Sequence, residues 1–214
     1  SLTDPDMKKG AMQTVANQLA RTDVNKAAAY VKQYANDEWA SGAIGDVAQR
    51  MARSNPQDAL KFAEGLSGSN QPVAYRESIQ AWTRDDSEAA SKYVNAMPVG
   101  ANRDASASAL ANSIARDDPA SAIAWTDSIA DPKVRESTLI DVARDYRRSD
   151  PDGYAAWLPG SGLSAEAQQQ APNTGARPGM SDLERLMAAL AQDKEKILRV
   201  LLKADVNGTL EALE

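Results

Sequence analysis

Five polar residues punctuate this chain at a near-constant interval: Asp23, Asn55, Asp86, Asp118 and Asp150, separated by 32, 31, 32 and 32 residues. A period of that length, kept five times, restricts a chain to a stack of like units, because each unit can bury its apolar face only against its neighbours. All five are strong helix N-cap types, whose short side-chain oxygen accepts from the free N–H groups of the turn that follows. Three precede a proline (Pro56, Pro119, Pro151). Proline suits the first helical position, where no N–H partner is needed.

The register holds on both sides of the cap. Four residues after it stand Ala27, Ala59, Ala90 and Ala122, with Tyr154 as the exception. Seven after it stand Tyr30, Phe62, Tyr93, Trp125 and Trp157, all aromatic. Offsets of four and seven share one helix face. A small residue therefore admits a neighbouring helix and an aromatic fills the space between hairpins. Upstream, Leu19, Met51, Trp82, Ile114 and Tyr146 lie four before the cap. Ala16, Ala48, Ile79, Ala111 and Ala143 lie seven before it, and Val15, Val47, Ser78, Leu110 and Val142 eight before it. These offsets describe the apolar stripe of a second helix. A connector of two or three residues predicts that the two helices fold into an antiparallel pair. The fold expected is all-α: an α-solenoid of about five helical hairpins over residues 10 to about 165, in a domain spanning residues 1–170.

Composition narrows the chemistry. With 24 Lys+Arg against 30 Asp+Glu the net charge is −6, and no basic stripe offers itself to a phosphate backbone, so no nucleic-acid partner is expected. The chain has no cysteine and no histidine. That removes thiolate chemistry, the commonest general base and the commonest zinc ligands. No apolar run approaches the roughly 20 residues that span a bilayer, and no membrane partner is expected. No signal peptide is visible, but the chain begins at Ser1 rather than methionine, so the compartment is left open. No residue is assigned as catalytic, cofactor-binding or metal-binding, and no cofactor is expected.

Three groups of residues invite a functional reading. Arg21, Arg53, Arg84, Arg116 and Arg148 each lie two residues before a cap. One reading is structural: a cation at a helix C-terminus meets the negative end of the dipole and pairs with the cap carboxylate. The other is an arginine ladder that grips acidic groups on a partner. Adjacent carboxylates at Asp85–Asp86 and Asp117–Asp118 are a pattern used in glycoside hydrolysis. They fall at the start of a helix, however, where negative charge is ordinary. Recurrence assigns the aromatic series to the core. Trp39 and Tyr34 stand outside that register and are the expected exposed contact residues.

The repeat length resembles that of tetratricopeptide and related helical-hairpin arrays, although the tetratricopeptide Trp, Leu-Gly, Tyr pattern is not reproduced. The Asp-Pro-x-x-Ala-x-x-Trp phrase at 118–125 resembles a bacterial hairpin repeat. After Trp157 the period stops. Residues 158–163 break the last helix, 164–170 suit a short capping helix, and 171–181, rich in Pro and Gly, read as a linker. Ser181 and Glu184 form a capping box for a helix through Leu183, Leu186, Met187 and Leu190. A β-like run follows at 197–202. Lys203-Ala204-Asp205-Val206, Gly208 and Glu211-Ala212-Leu213 then resemble a phrase of bacterial translation initiation factor 2, with Thr209 where that family has serine. The resemblance implies an incomplete α/β fragment at 182–214. No Gly-x-x-x-x-Gly-Lys-[Ser/Thr] loop exists in the chain, so no nucleotide is expected. The function expected is a non-catalytic scaffold for a protein or peptide partner. The alternatives are a fragment or fusion of that initiation factor, and a hydrolase working with carboxylates alone.

Overall fold

One residue closes the first helix of each hairpin and opens the second. In the computed structural model, which describes residues 5–163, the backbone N–H of Asp23, Asn55, Asp86, Asp118 and Asp150 donates to the carbonyl four residues back at 2.7–2.9 Å. The carbonyl of the same residue accepts from the N–H four residues on at 3.0–3.3 Å. The residue itself is extended, with φ between −140° and −157°. Its side chain takes up free N–H groups of the next turn: those of Asn25 and Lys26 for Asp23, Gln57 for Asn55, Ala89 for Asp86, Ser121 for Asp118 and Gly153 for Asp150. The chain thus reverses with its hydrogen-bond ladder nearly unbroken. For that reason the turn is shorter, in four of the five hairpins, than the two or three residues expected. A single residue separates the helices in four hairpins, and residues 115–118 do so in the other.

The described residues form an all-α fold with no strand. The helices are α1 (Pro5–Thr22), α2 (Val24–Lys32), α3 (Ala40–Ser54), α4 (Pro56–Glu64), α5 (Gln71–Asp85), α6 (Ser87–Ala96), α7 (Ala101–Ile114), α8 (Pro119–Asp127), α9 (Pro132–Ser149) and α10 (Pro151–Trp157). A 3₁₀ turn at Leu158–Gly160 ends the last hairpin. Each odd-numbered helix packs on the next odd-numbered one. Each even-numbered helix packs on its own partner and, from α2 to α8, on the odd-numbered helix that follows. The odd-numbered helices make a continuous layer, and the even-numbered ones cover one side of it.

The recurring positions build the core. Ala27, Ala59, Ala90 and Ala122 are all 0 % exposed, so a methyl group is what the helix spacing admits. Tyr154 is buried in their place in the last hairpin, against Tyr146 and Trp157. The positions seven before the cap are buried in all five repeats, and those eight before it in the last four. Burying one such valine or leucine contributes about 1.5–3 kcal/mol. Val15 departs from the expected stripe and is 45 % exposed. Its counterparts sit on helices covered by a preceding even-numbered helix, and among the described residues α1 has none. The aromatic series splits: Phe62 is buried, while Tyr30, Tyr93 and Trp125 are half-buried against the main cluster and Trp157 against the last one.

Trp39 and Tyr34 are not the exposed contacts expected of them. Both are half-buried and pack on the main cluster. Their rings lie 4.9 Å apart, and Tyr34 also meets Tyr30 at 5.4 Å. Residues 33–39, the longest link between hairpins, fold their own aromatics back over the end of α2. The capping helix, linker, strand and initiation-factor-like segment expected at 164–214 lie outside the described residues.

Candidate functional site

The even-numbered helices cover one side of the odd-numbered layer, and the opposite side is open. Which positions point that way follows from helix geometry. Residues 13, 6 and 2 before the cap share a face, being seven and four apart. That face is directed away from the apolar stripe. Thirteen before the cap stand Gly10, Gly42, Val73, Ala105 and Ser137. A Cβ added to Gly10 or Gly42 meets nothing within 4 Å, so the face is free in the first two repeats; Val73 and Ala105 are half-buried and Ser137 is exposed. Six before the cap stand Asn17, Gln49, Gln80, Asn112 and Arg144, four amides and one guanidinium. Two before it stand the five arginines, all exposed.

The amide position is a second recurring polar feature beside the arginines. The signal lay at a fixed offset in the sequence, masked by alternation of Asn, Gln and Arg. Its side chains are only lightly engaged. Arg53 Nη2 donates to Gln49 Oε1 at 3.2 Å. Asn112 Oδ1 is buried without a hydrogen-bond partner, at a cost of about 1–3 kcal/mol. Between α5, α7 and α9 the same face holds a cavity of about 430 Å³, lined by Arg76, Asp104, Ser108, Asp131 and Val134 among others.

The arginines do not pair with their own cap carboxylates among the described residues. Arg116 and Arg148 both meet Asp145, at 3.3 and 3.0 Å, so one carboxylate ties the fourth repeat to the fifth. Arg21, Arg53, Arg84 and Arg148 do stand in the last turn of a helix, where the dipole favours a cation. Of the adjacent carboxylates, Asp86 and Asp118 are engaged as caps. The side chain of Ser121, and then its backbone N–H, hold the Asp118 carboxyl below its ordinary range.

A second cavity, about 500 Å³, opens at the edge where the hairpins are linked. The end of α4 supplies Glu64, the start of α5 Gln71, Pro72 and Tyr75, the end of α6 Tyr93, and the 97–100 link Met97 and Val99. Tyr93 donates its hydroxyl to Glu64 Oε1 at 3.3 Å. Asn102 Nδ2 donates to Gln71 Oε1 at 3.1 Å, and Gln71 Nε2 to the Ala63 carbonyl at 3.1 Å. Burial first, and then the neighbouring phenol and Glu64, push the Tyr93 hydroxyl well above its ordinary range. Burial and Glu64 raise Tyr75. Both phenols therefore stay neutral at ordinary pH.

Among the described residues no group of three or more acidic side chains is placed to hold a metal ion, and no helix is long and apolar enough to cross a membrane. Compared with protein-family models, with curated proteins and with solved structures, the chain finds no match in any of the three.

Proposed function

We propose that this chain is a non-catalytic interaction scaffold, an α-solenoid of helical hairpins whose odd-numbered helices hold a protein or peptide partner along their open side. The observation that carries this reading is the recurring pair on that side, an amide at Asn17, Gln49, Gln80 and Asn112 and an arginine four residues later. They point away from the buried stripe, and among the described residues only Arg116 of these arginines bridges to the next hairpin, through Asp145. An amide both donates and accepts, which is what the backbone of an extended peptide requires. Packed helices lie about 8–10 Å apart, close to three residues of extended chain at about 3.3 Å each. Successive amides thus suit every third peptide unit, and the arginines add a preference for acidic side chains. Binding is favoured over catalysis because Asp86 and Asp118 are already engaged as caps.

Selection from a random peptide library tests this reading. Wild-type protein should enrich extended, acidic sequences, and the triple variant Gln49→Ala, Gln80→Ala, Asn112→Ala should not. Equal enrichment by both proteins, or none by either, would count against it.

A further inference from the structure

We propose that the cavity at the linked edge of the hairpins binds a primary ammonium group on a short aliphatic chain, with Glu64 as counter-charge and the rings of Tyr75 and Tyr93 as walls. This site is separate from the open helix face and does not rest on it.

The repeat accounts for Tyr93, which stands in the recurring aromatic position, but not for Tyr75 or for its meeting with Glu64. Eleven residues before the cap, the counterparts of Tyr75 are Met12, Ile44, Ala107 and Leu139, all apolar. The hydroxyl of Tyr75, which is only 6 % exposed, therefore answers no packing need shared by the other repeats. Nine residues after the cap, the counterparts of Glu64 are Lys32, Asn95, Asp127 and Pro159. Of these Asp127 alone is also acidic, and the positions that correspond there to Tyr75 and Tyr93 hold Leu139 and Trp157, neither of them a phenol. Three devices converge here: a carboxylate, two neutral phenols and an apolar rim.

Charge identifies the ligand. Glu64 is the only acid among the residues lining the cavity, and no lysine or arginine lines it. Its hydrogen bond from Tyr93 is long, at 3.3 Å, and leaves carboxylate lone pairs free for a stronger, charge-assisted donor. Lys32 Nζ lies close to Gly65, but among the described residues it makes no ion pair with Glu64. An anion would meet the Glu64 carboxylate and the negative C-terminal ends of α4 and α6. A cation gains from the carboxylate and from the faces of the tyrosine rings. Pro72, Met97 and Val99, the last 77 % exposed, offer apolar surface to the methylene groups behind the charged head. At about 500 Å³ the space exceeds what an ammonium alone would fill.

Titration of the full-length chain tests this, followed by calorimetry and by the ring resonances of tyrosine. The probes are 1,5-diaminopentane, Nα-acetyl-lysine N-methylamide and, as the anionic control, pentanoate. At least one amine should bind saturably and shift the Tyr75 and Tyr93 signals, while pentanoate should not. Glu64→Gln, a change at an exposed residue, should weaken amine binding by roughly tenfold, and Tyr93→Leu by severalfold. Tighter binding of the blocked lysine would identify the ligand as a side chain of another protein, and tighter binding of the diamine as a free amine. The triple variant of the open face should bind the amine as wild type does, so the two proposals fail separately. No saturable amine binding, unchanged binding by Glu64→Gln, or equal binding of pentanoate would each overturn the assignment.

Discussion

The Asp104 carboxylate accepts the backbone N–H of Asp131 at 2.9 Å through Oδ2 and that of Ala130 at 3.0 Å through Oδ1. It fastens α7 to the link that starts α9, and it does so while 3 % exposed. Asp131 in turn caps α9 by accepting from Lys133 and Val134. Hydrogen bonds to a charged group contribute about 1.5–3 kcal/mol. Asp104→Ala should therefore destabilise by about 3 kcal/mol. Asp104→Asn, which keeps one acceptor and points a donor at the other N–H, should also be clearly destabilising. Urea denaturation of the three proteins measures both, and a loss under about 0.5 kcal/mol, the size of an unremarkable surface change, would contradict the role given to Asp104.

The cap residues should behave as a set. Asn55 accepts from the Gln57 N–H at 3.0 Å and donates to Asp58 at 2.9 Å. Asn55→Ala should cost about 1 kcal/mol, and Asn55→Asp, which keeps the capping oxygen but sets a second carboxylate against Asp58, should also be less stable than wild type. Thermal melts of both variants decide this.

Acid should act partly through the caps. Hydrogen bonds from Ser121 lower the Asp118 pKa from 3.8; a backbone hydrogen bond from Lys26, foremost, lowers that of Asp23. A carboxyl depressed in the folded state contributes stability that is present above its unfolded value. That contribution is lost as pH falls through 3.8 toward the lower folded value. Asp118→Asn retains a capping oxygen without the titration. Its melting temperature should therefore fall less steeply than wild type from about pH 5 downward. Parallel curves would show that Asp118 gains nothing from its charge.

The aromatics should matter inside and outside the repeat register. Phe62→Ala, at a buried position, should cost about 3–5 kcal/mol. Trp39→Ala should cost about 2 kcal/mol, because the ring is half-buried and packs at a tilt against Tyr34. A negligible loss at Trp39 would return it to the exposed role that its off-register position suggested.

Much of this fold is written at fixed offsets from five caps. A cap, an alanine and an aromatic at zero, four and seven each answer a separate need of a tight hairpin, so their coincidence leaves few alternatives. The turn length was less legible, because a cap residue that keeps both its own backbone hydrogen bonds needs no further connector. Trp39 and Tyr34 were misplaced because register reports contacts between helices and says nothing of a link that folds back on itself. The open face was half legible: the arginines recur as one residue type, whereas the amides alternate between Asn and Gln and give way to Arg144. The Glu64–Tyr93 cavity was not legible: Tyr93 recurs as an aromatic, but the phenol of Tyr75 breaks an apolar series, and the lining is drawn from four helices and two links.

Site-directed photo-crosslinking tests the central claim most directly. A photoreactive residue at Gln80 lies on the open side of the odd-numbered layer, and one at the exposed Lys92 lies on α6 in the covering layer. Exposed to a lysate of its native cells, the Gln80 probe should give a discrete adduct that an excess of a library-selected peptide abolishes, and the Lys92 probe should give none. Adducts of the same pattern from both positions, or an adduct from Lys92 alone, would contradict the assignment of the open helix face as the binding surface.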